Sequence, residues 1–400
     1  MAYPSPKDQI PVFFEDTSVA FASKSDAKLR KTYWLFSLMN QARVVNLGTF
    51  FIKLALKLNL PIKNLIRLTI FEQFCGGETI NDCNATITLL GQSGIGTILD
   101  YSVEGEDKES SFEATAAEIL KTIDKAASSK TIPFSVFKVT GVASADLLEK
   151  IQRKDPLSED DKASYDRVKE RVERLCSHAH DKSVRIFVDA EESWIQGIID
   201  ELTYDMMQKF NKEKAIVYNT YQLYRHETLE ALKTAYLTAR QKGYFLGGKL
   251  VRGAYMEKER LRARENEYFN PIHVSKDATD TDYNLAVDFC LEHVEYISIC
   301  LGTHNEYSSQ YCAAKMKKLC IGQNDDRIWF AQLLGMSDNI SFNLAKAGYN
   351  VAKYVPYGPI NAVLPYLIRR AEENTSIAGQ SSREFLLVKS ELKRRGIGSL

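Results

Sequence analysis

The chain has no C-x-x-C pair, no surplus of charge of either sign and no apolar run long enough to cross a membrane. Each absence excludes something. Seven cysteines (75, 83, 176, 290, 300, 312 and 320), an odd number, give neither a zinc spacing nor a disulfide framework. Reduced thiols in an intracellular compartment are expected, and no metal site is assigned. Fifty-two basic residues against 52 acidic ones leave a net charge of zero, which argues against a nucleic-acid binder. A membrane span needs roughly 18 uninterrupted apolar residues. The nearest stretch, 47–71, is broken by Lys53, Lys57, Lys63 and Arg67. It reads as an amphipathic helical pair packed on the domain, or as a surface that touches lipid. The first residues hold Asp8, Glu15 and Asp16 without an apolar run, which fits neither a secretory signal nor an acid-poor transit peptide.

Familiar phosphate and metal motifs are absent too. Gly243-x4-Gly248-Lys249 has Leu250 where a phosphate loop needs Ser or Thr, and its glycines precede a strand rather than a helix. Gly91-x-x-Gly94-x-Gly96 has the wrong spacing for a dinucleotide fingerprint. His178-x-His180 lies in a charged helix-to-loop region with no third ligand nearby.

What is present is a core-forming chain, 44% hydrophobic, with an ordered alternation of elements. Residues 1–85 read as an N-terminal helical arm, with Ser23-Lys-Ser-Asp26 opening a helix that runs to about Arg43. From 86 to 400, strand-like runs alternate with helical patterns. They start at Thr97, Phe134, Val184, Ala215, Lys249, Ile297, Arg327 and Lys353. Ser110-x-x-Glu113 has the form of a capping box for the first intervening helix. Eight such strands predict an α/β fold, a distorted (βα)8 TIM-like barrel behind the arm, with an open doubly wound sheet as the alternative.

Active sites of such barrels gather at the carboxyl ends of the strands. Asp100, Tyr101, Lys138, Thr140, Asp189, Glu191, Glu192, Asn219, Arg252, Tyr255, Thr303, His304, Asn305, Gln332 and Tyr354 fall there. Strands buried on both faces favour continuous apolar runs, so polar residues gathered at one end need a reason. Lys138, between Phe137 and Val139, is costly without a partner. Asp189 is either a helix N-cap, because Ala190-Glu191-Glu192 follows, or a site residue.

The segment 353–374 organises the rest. Gly358-Pro359 ends the last strand, a helix opens near Asn361 with Pro365 in its first turn, and Tyr366, Arg369 and Arg370 share one face. Adjacent guanidiniums present planar forks suited to a carboxylate or phosphate. The bland alternative is a solvated pair tied to Glu372 and Glu373.

These residues resemble one family, proline dehydrogenase. The matching segments are 134–140, 188–191, 218–222, 249–255, 303–305, 332–336 and 354–374, in family order. The wording is similar to the mitochondrial-type branch without its long insertions. The resemblance implies a barrel that holds FAD noncovalently, oxidises L-proline to Δ1-pyrroline-5-carboxylate and passes electrons to membrane quinone. By resemblance, Arg369, Arg370 and Lys138 bind the proline carboxylate, Glu373 orients the arginines, and Tyr255, Leu333, Tyr354 and Tyr366 enclose the ring. Asp189, Ala190, Asn219, Lys249, Arg252, Gly253, Ala254, Tyr255, Thr303, His304 and Asn305 line the flavin, and Lys276, Thr279 and Asp280 reach the rest of it. The same resemblance implies Asp189 and Lys249 as the catalytic pair.

Many bacterial members have arginine at Lys249, glutamine at Asn219 and tryptophan at Met256. Tyr354 implies proline, because the hydroxyproline-preferring branch carries a smaller residue there. The implied location is cytoplasmic or peripheral at the inner membrane, on the matrix side in a eukaryote. A folate-linked flavin reductase would need a pterin-binding acid and a nicotinamide site, and a non-enzymatic interaction module would be colourless.

Overall fold

A computed structural model describes residues 11–58, 62–102, 108–374 and 382–397. Eight parallel strands close into a barrel in sequence order: β1 (Ile95–Tyr101), β2 (Phe134–Lys138), β3 (Arg185–Asp189), β4 (Val217–Gln222), β5 (Leu246–Val251), β6 (Ile297–Gly302), β7 (Ile328–Leu333) and β8 (Val351–Tyr357). Closure is made by β1 on β8 over seven paired residues, from Ile95 opposite Val351 to Tyr101 opposite Tyr357. The open-sheet alternative is thereby set aside.

Side chains alternate across each strand, so the barrel has an inside and an outside. Inside, Ile98, Phe134, Val136, Phe187, Tyr218, Cys300, Ala331, Ala352 and Tyr354 form one core. Phe134 stacks on Phe187 with ring centroids 4.3 Å apart, and Tyr218 meets both edge-on. These rings plug the amino-terminal end, so any ligand must enter from the carboxyl ends of the strands. Outside, a larger core joins the strands to the surrounding helices through residues such as Leu99, Leu175, Ile199, Leu250 and Leu344.

A third core belongs to the arm. Phe36, Phe71, Phe74 and Cys75 pack with Val363, Leu367 and Ala371 of the helix Ile360–Glu373, and with Val388 and Leu392 of the helix Arg383–Arg394. The arm therefore holds the helix that carries Arg369 and Arg370. It also grips the end of β8, where Gly76 N donates to Pro356 O at 2.9 Å and Gly77 bridges to Tyr357. Gly335, in left-handed backbone at φ +77°, lets the turn after β7 come against the arm. A Cβ there would lie 2.2 Å from Gln73 O.

Three local expectations are corrected. The expected capping box fails: the helix starts at Glu109 with Lys108 as its cap, leaving Ser110 inside the first turn. The first long arm helix ends at Met39, and a second begins at Ala42. Pro365 sits in the second turn of Ile360–Glu373, where its ring leaves the Asn361 carbonyl without an intrahelical donor. The stretch 42–71 does form a helical pair, Ala42–Lys57 followed by Lys63–Ile66 running into a π turn at Arg67–Phe71.

Candidate active site

Strand ends deliver one charge cluster to the barrel mouth. Lys138 pairs across the ladder with Asp189, and its Nζ donates to Asp189 Oδ2 at 3.0 Å. Lys249 Nζ contacts Asp189 Oδ1, and Tyr354 Oη donates to the same oxygen at 2.8 Å. Lys249 Nζ also donates to Tyr354 Oη at 3.1 Å and lies over the Phe187 ring. Burial pushes the Asp189 carboxyl up, but the two ammonium groups and these donors outweigh it and hold the group below the usual carboxylate range. Asp189 therefore stays ionised, and the costly Lys138 has its partner. The cap reading of Asp189 fails, because Glu192 occupies the cap position of the next helix.

The opposite wall comes from the helix Ile360–Glu373. Arg370 is buried, lies over the Tyr366 ring at 5.1 Å and donates from Nη2 to Glu373 Oε1 at 2.5 Å. Arg370 Nε and Tyr366 Oη are buried without a hydrogen-bond partner among the described residues. Orphaned polar atoms cost about 1–3 kcal/mol each, so two on one cavity wall point to a ligand that satisfies them.

A third part of the rim is a fixed hydrogen-bond frame. Arg252 donates to Asp280 at 2.7 Å, to Thr303 Oγ1 at 2.6 Å and to Ser308 Oγ at 2.9 Å, and it lies over the Tyr283 ring. His304 Nδ1 is 2.9 Å from Ser337 Oγ. Burial, then the neighbouring cations Lys353, Arg370, Arg383 and Arg252, lowers the His304 imidazole to about 3, so it is neutral at physiological pH. Asn305 caps the next helix by accepting from Ser308 N at 3.1 Å.

Together these parts line a cavity of about 710 Å³. Of the expected site residues, Lys138, Asp189, Ala190, Lys249, Arg252, Gly253, Ala254, Tyr255, Lys276, Thr303, His304, Asn305, Leu333, Tyr354, Tyr366, Arg369, Arg370 and Glu373 all line it. Three do not. Asn219 faces outward on β4 and donates to Asp200 at 2.8 Å. Thr279 is buried, with its hydroxyl turned back to Ser275 O at 3.4 Å, and Asp280 reaches the site only through Arg252 and Lys276.

Alternation explains the first miss. The register sets Thr220 opposite Lys249, so Thr220 and Gln222 are the inward residues of β4. Counting by two from Lys249's partner would have found them. Ser102 and Arg383 also line the cavity. Arg383 comes from a different helix and donates to His304 O at 2.8 Å, a contact no local motif announces.

A closed parallel barrel that gathers a buried carboxylate between two lysines, facing two arginines across one cavity, has the architecture of an α/β-barrel enzyme. Residues 83–383 match the family model described as proline dehydrogenase. The chain belongs to the proline dehydrogenase family, whose members are oxidoreductases.

Among curated relatives, "Proline dehydrogenase 1, mitochondrial" of Dictyostelium discoideum is 35% identical over 95% of this chain and 74% of its own length. The Homo sapiens protein of the same name is 41% identical over 60% of this chain and 40% of its own. "Carbapenem antibiotics biosynthesis protein CarD" of Pectobacterium carotovorum is 35% identical over 82% of this chain and 85% of its own. The fold is similar to proline utilization A from Bdellovibrio bacteriovorus inactivated by N-propargylglycine, at TM-score 0.70 and 19% identity. That match covers 94% of this chain and 40% of that one.

Proposed function

We propose that the protein oxidises L-proline to Δ1-pyrroline-5-carboxylate, with noncovalently held FAD taking the electrons and a quinone receiving them in turn. The observation that carries this reading is the orphaned pair Arg370 Nε and Tyr366 Oη, facing the same cavity as the Asp189–Lys249–Tyr354 cluster. A carboxylate supplies the missing acceptor.

The cavity fits a large cofactor as well. Its volume of about 710 Å³ exceeds what proline alone would fill and lies within the ordinary range of small-molecule sites. Gly253, at φ +133°, lines the wall with its backbone, and the Tyr224 ring fills the space where a Cβ would stand. Lys276 and Arg252 supply cations for phosphates, and Thr303, His304 and Asn305 supply polar contacts. Asp189, Ala190, Lys249, Ala254 and Tyr255 complete the cofactor wall in this reading.

FAD, when bound, supplies the hydride acceptor. The chain's own residues do the positioning. Arg369, Arg370 and Lys138 hold the substrate carboxylate, Glu373 fixes the Arg370 fork, and Tyr255, Leu333, Tyr354 and Tyr366 enclose the ring. With the acid group pinned, the ring carbon beside nitrogen is set in one direction, and orientation supplies much of the rate. The ring nitrogen gives up its proton as the carbon–nitrogen double bond forms. Asp189 stays anionic between Lys138 and Lys249, and the neutral His304 adds no charge to the cofactor wall.

Several relatives are named as mitochondrial, and among the described residues no helix is long and apolar enough to cross a membrane. The reading places this chain in the cytoplasm or at the inner membrane, on the matrix side in a eukaryote, as a peripheral protein.

The test is the spectrum of the purified protein. Flavin absorption that bleaches when L-proline is added without oxygen is expected. A colourless protein that binds no added FAD, or bound flavin that proline leaves oxidised, sinks the reading.

A further inference from the structure

The carboxyl end of β3 is held on both sides by side chains where the backbone ladder has run out. Towards β4 the paired register stops at Phe187 opposite Tyr218. Beyond it, Thr220 Oγ1 donates to Val188 O at 2.8 Å and Gln222 Nε2 donates to Glu191 O at 2.7 Å. Towards β2 the register ends at Lys138 opposite Asp189, and the chain then turns off at Val139–Gly141. There the Glu191 carboxylate takes over from the ladder. One oxygen accepts from Thr140 N at 3.0 Å and the other contacts the Thr140 hydroxyl. Glu191 is anchored in turn by its own N–H, which donates to Gln196 Oε1 at 2.7 Å. It is buried yet does not line the cavity, whereas Lys138, Asp189, Thr220 and Gln222 all do.

Burying a carboxylate is costly, and a single hydrogen-bonded turn does not require one. Both oxygens of Glu191 go to one residue, two positions past Lys138, so together they set the direction in which the chain leaves β2. We propose that Glu191 is a positioning residue for the substrate clamp: it holds the turn after β2 so that Lys138 Nζ stays 3.0 Å from Asp189 Oδ2 and faces a bound carboxylate. A strand end free to pivot at Lys138 would displace an ammonium carried on a long side chain. Misplacement by about 1 Å costs on the order of 100-fold where geometry governs the reaction. The inference rests on the function proposed above, in which Lys138 holds the substrate carboxylate.

A double-mutant cycle on the full chain tests it. Glu191→Leu should weaken binding of a proline analogue that cannot be oxidised by about tenfold. KM for proline should rise in step while kcat stays within about twofold, because the lysine grips the acid group both before and during the reaction. In a Lys138→Ala background the same substitution should change affinity by less than about twofold, the margin expected when nothing is left to position. Glu191→Gln keeps an oxygen for Thr140 N and a donor for the hydroxyl, and should hold affinity within about threefold of the wild type. Thr140→Val removes one of the two contacts from the other side and should shift affinity in the same direction, which serves if the leucine variant does not fold. Equal losses with and without Lys138 overturn the inference. So does a fall in kcat alone, a glutamine variant as impaired as the leucine one, or wild-type affinity in the leucine and valine variants. Bleaching of the wild-type flavin by L-proline is read first, so failure of the assigned reaction shows there and failure of the Glu191 role shows only in the cycle.

Discussion

Lys353 Nζ lies 2.9 Å from Asp338 Oδ1 and donates to Met336 O at 2.5 Å, with no part of the lysine side chain exposed. The other oxygen of Asp338 is held by Lys24 of the arm, also at 2.9 Å. A buried cation on β8 thus ties together the turn after β7 and the N-terminal arm. Because Leu333 begins that turn and Tyr354 follows Lys353, two residues of the cavity wall depend on it.

Lys353→Met should therefore destabilise strongly. Asp338 is held below the usual carboxylate range because the lysines outweigh its burial, and removing one leaves a buried charge half compensated. Breaking such a pair from one side costs about 3–5 kcal/mol. Urea unfolding of the purified protein would measure it, and a loss below about 1 kcal/mol would mean that Lys24 alone satisfies Asp338.

Arg370→Ala should weaken proline binding far more than it weakens the fold. The guanidinium is buried on the cavity wall, and its Nε lacks a partner until a ligand supplies one. Truncation of a buried charged contact costs about 2–5 kcal/mol of binding, or roughly 30-fold to several-thousand-fold in affinity. Titration of the protein with a proline analogue that cannot be oxidised would read this directly. Affinity like the wild type would remove Arg370 from the substrate site.

Much of the site was legible because barrel strands leave only one place for polar residues. Lys138, Asp189, Lys249 and Tyr354 stand out as charges or hydroxyls at the ends of apolar runs, and the structure joins them in one cluster. Asn219 was misplaced because strand periodicity is two, and an error of one residue exchanges inside for outside. Arg383 and the Lys353–Asp338–Lys24 set were not legible at all. Their partners are distant in sequence, and only tertiary packing brings them together.

Tyr354→Ser should shift specificity towards hydroxylated proline. The Tyr354 ring is buried against the cavity, with its hydroxyl fixed by Asp189 and Lys249, so it cannot swing aside for an added substituent. Serine opens that space and leaves Asp189 without one of its donors, at a cost of about 1–3 kcal/mol. The ratio of kcat/KM for hydroxyproline over proline should rise, while kcat/KM for proline falls. An unchanged ratio would show that another residue sets the selectivity.

Glu191 should make stability fall as pH rises from about 4.5 to about 7. Its carboxyl accepts from Thr140 N at 3.0 Å and contacts the Thr140 hydroxyl, yet burial dominates and pushes it from 4.5 up to about 7. Between those two values the folded state binds more protons than the unfolded chain. The stabilising contribution is therefore complete below about 4.5 and is lost by about 7, with a total of up to about 3 kcal/mol. His304 acts in the opposite sense: its folded value near 3 makes stability fall as pH drops below 6.5. The two slopes overlap, so the wild type alone cannot separate them. Glu191→Gln removes one of them, and the difference in unfolding free energy between wild type and variant should vary with pH between about 4.5 and 7 and be level above that. A difference independent of pH across this window would show that Glu191 is ionised throughout in the folded protein, its charge accommodated by Thr140 and the nearby Lys138.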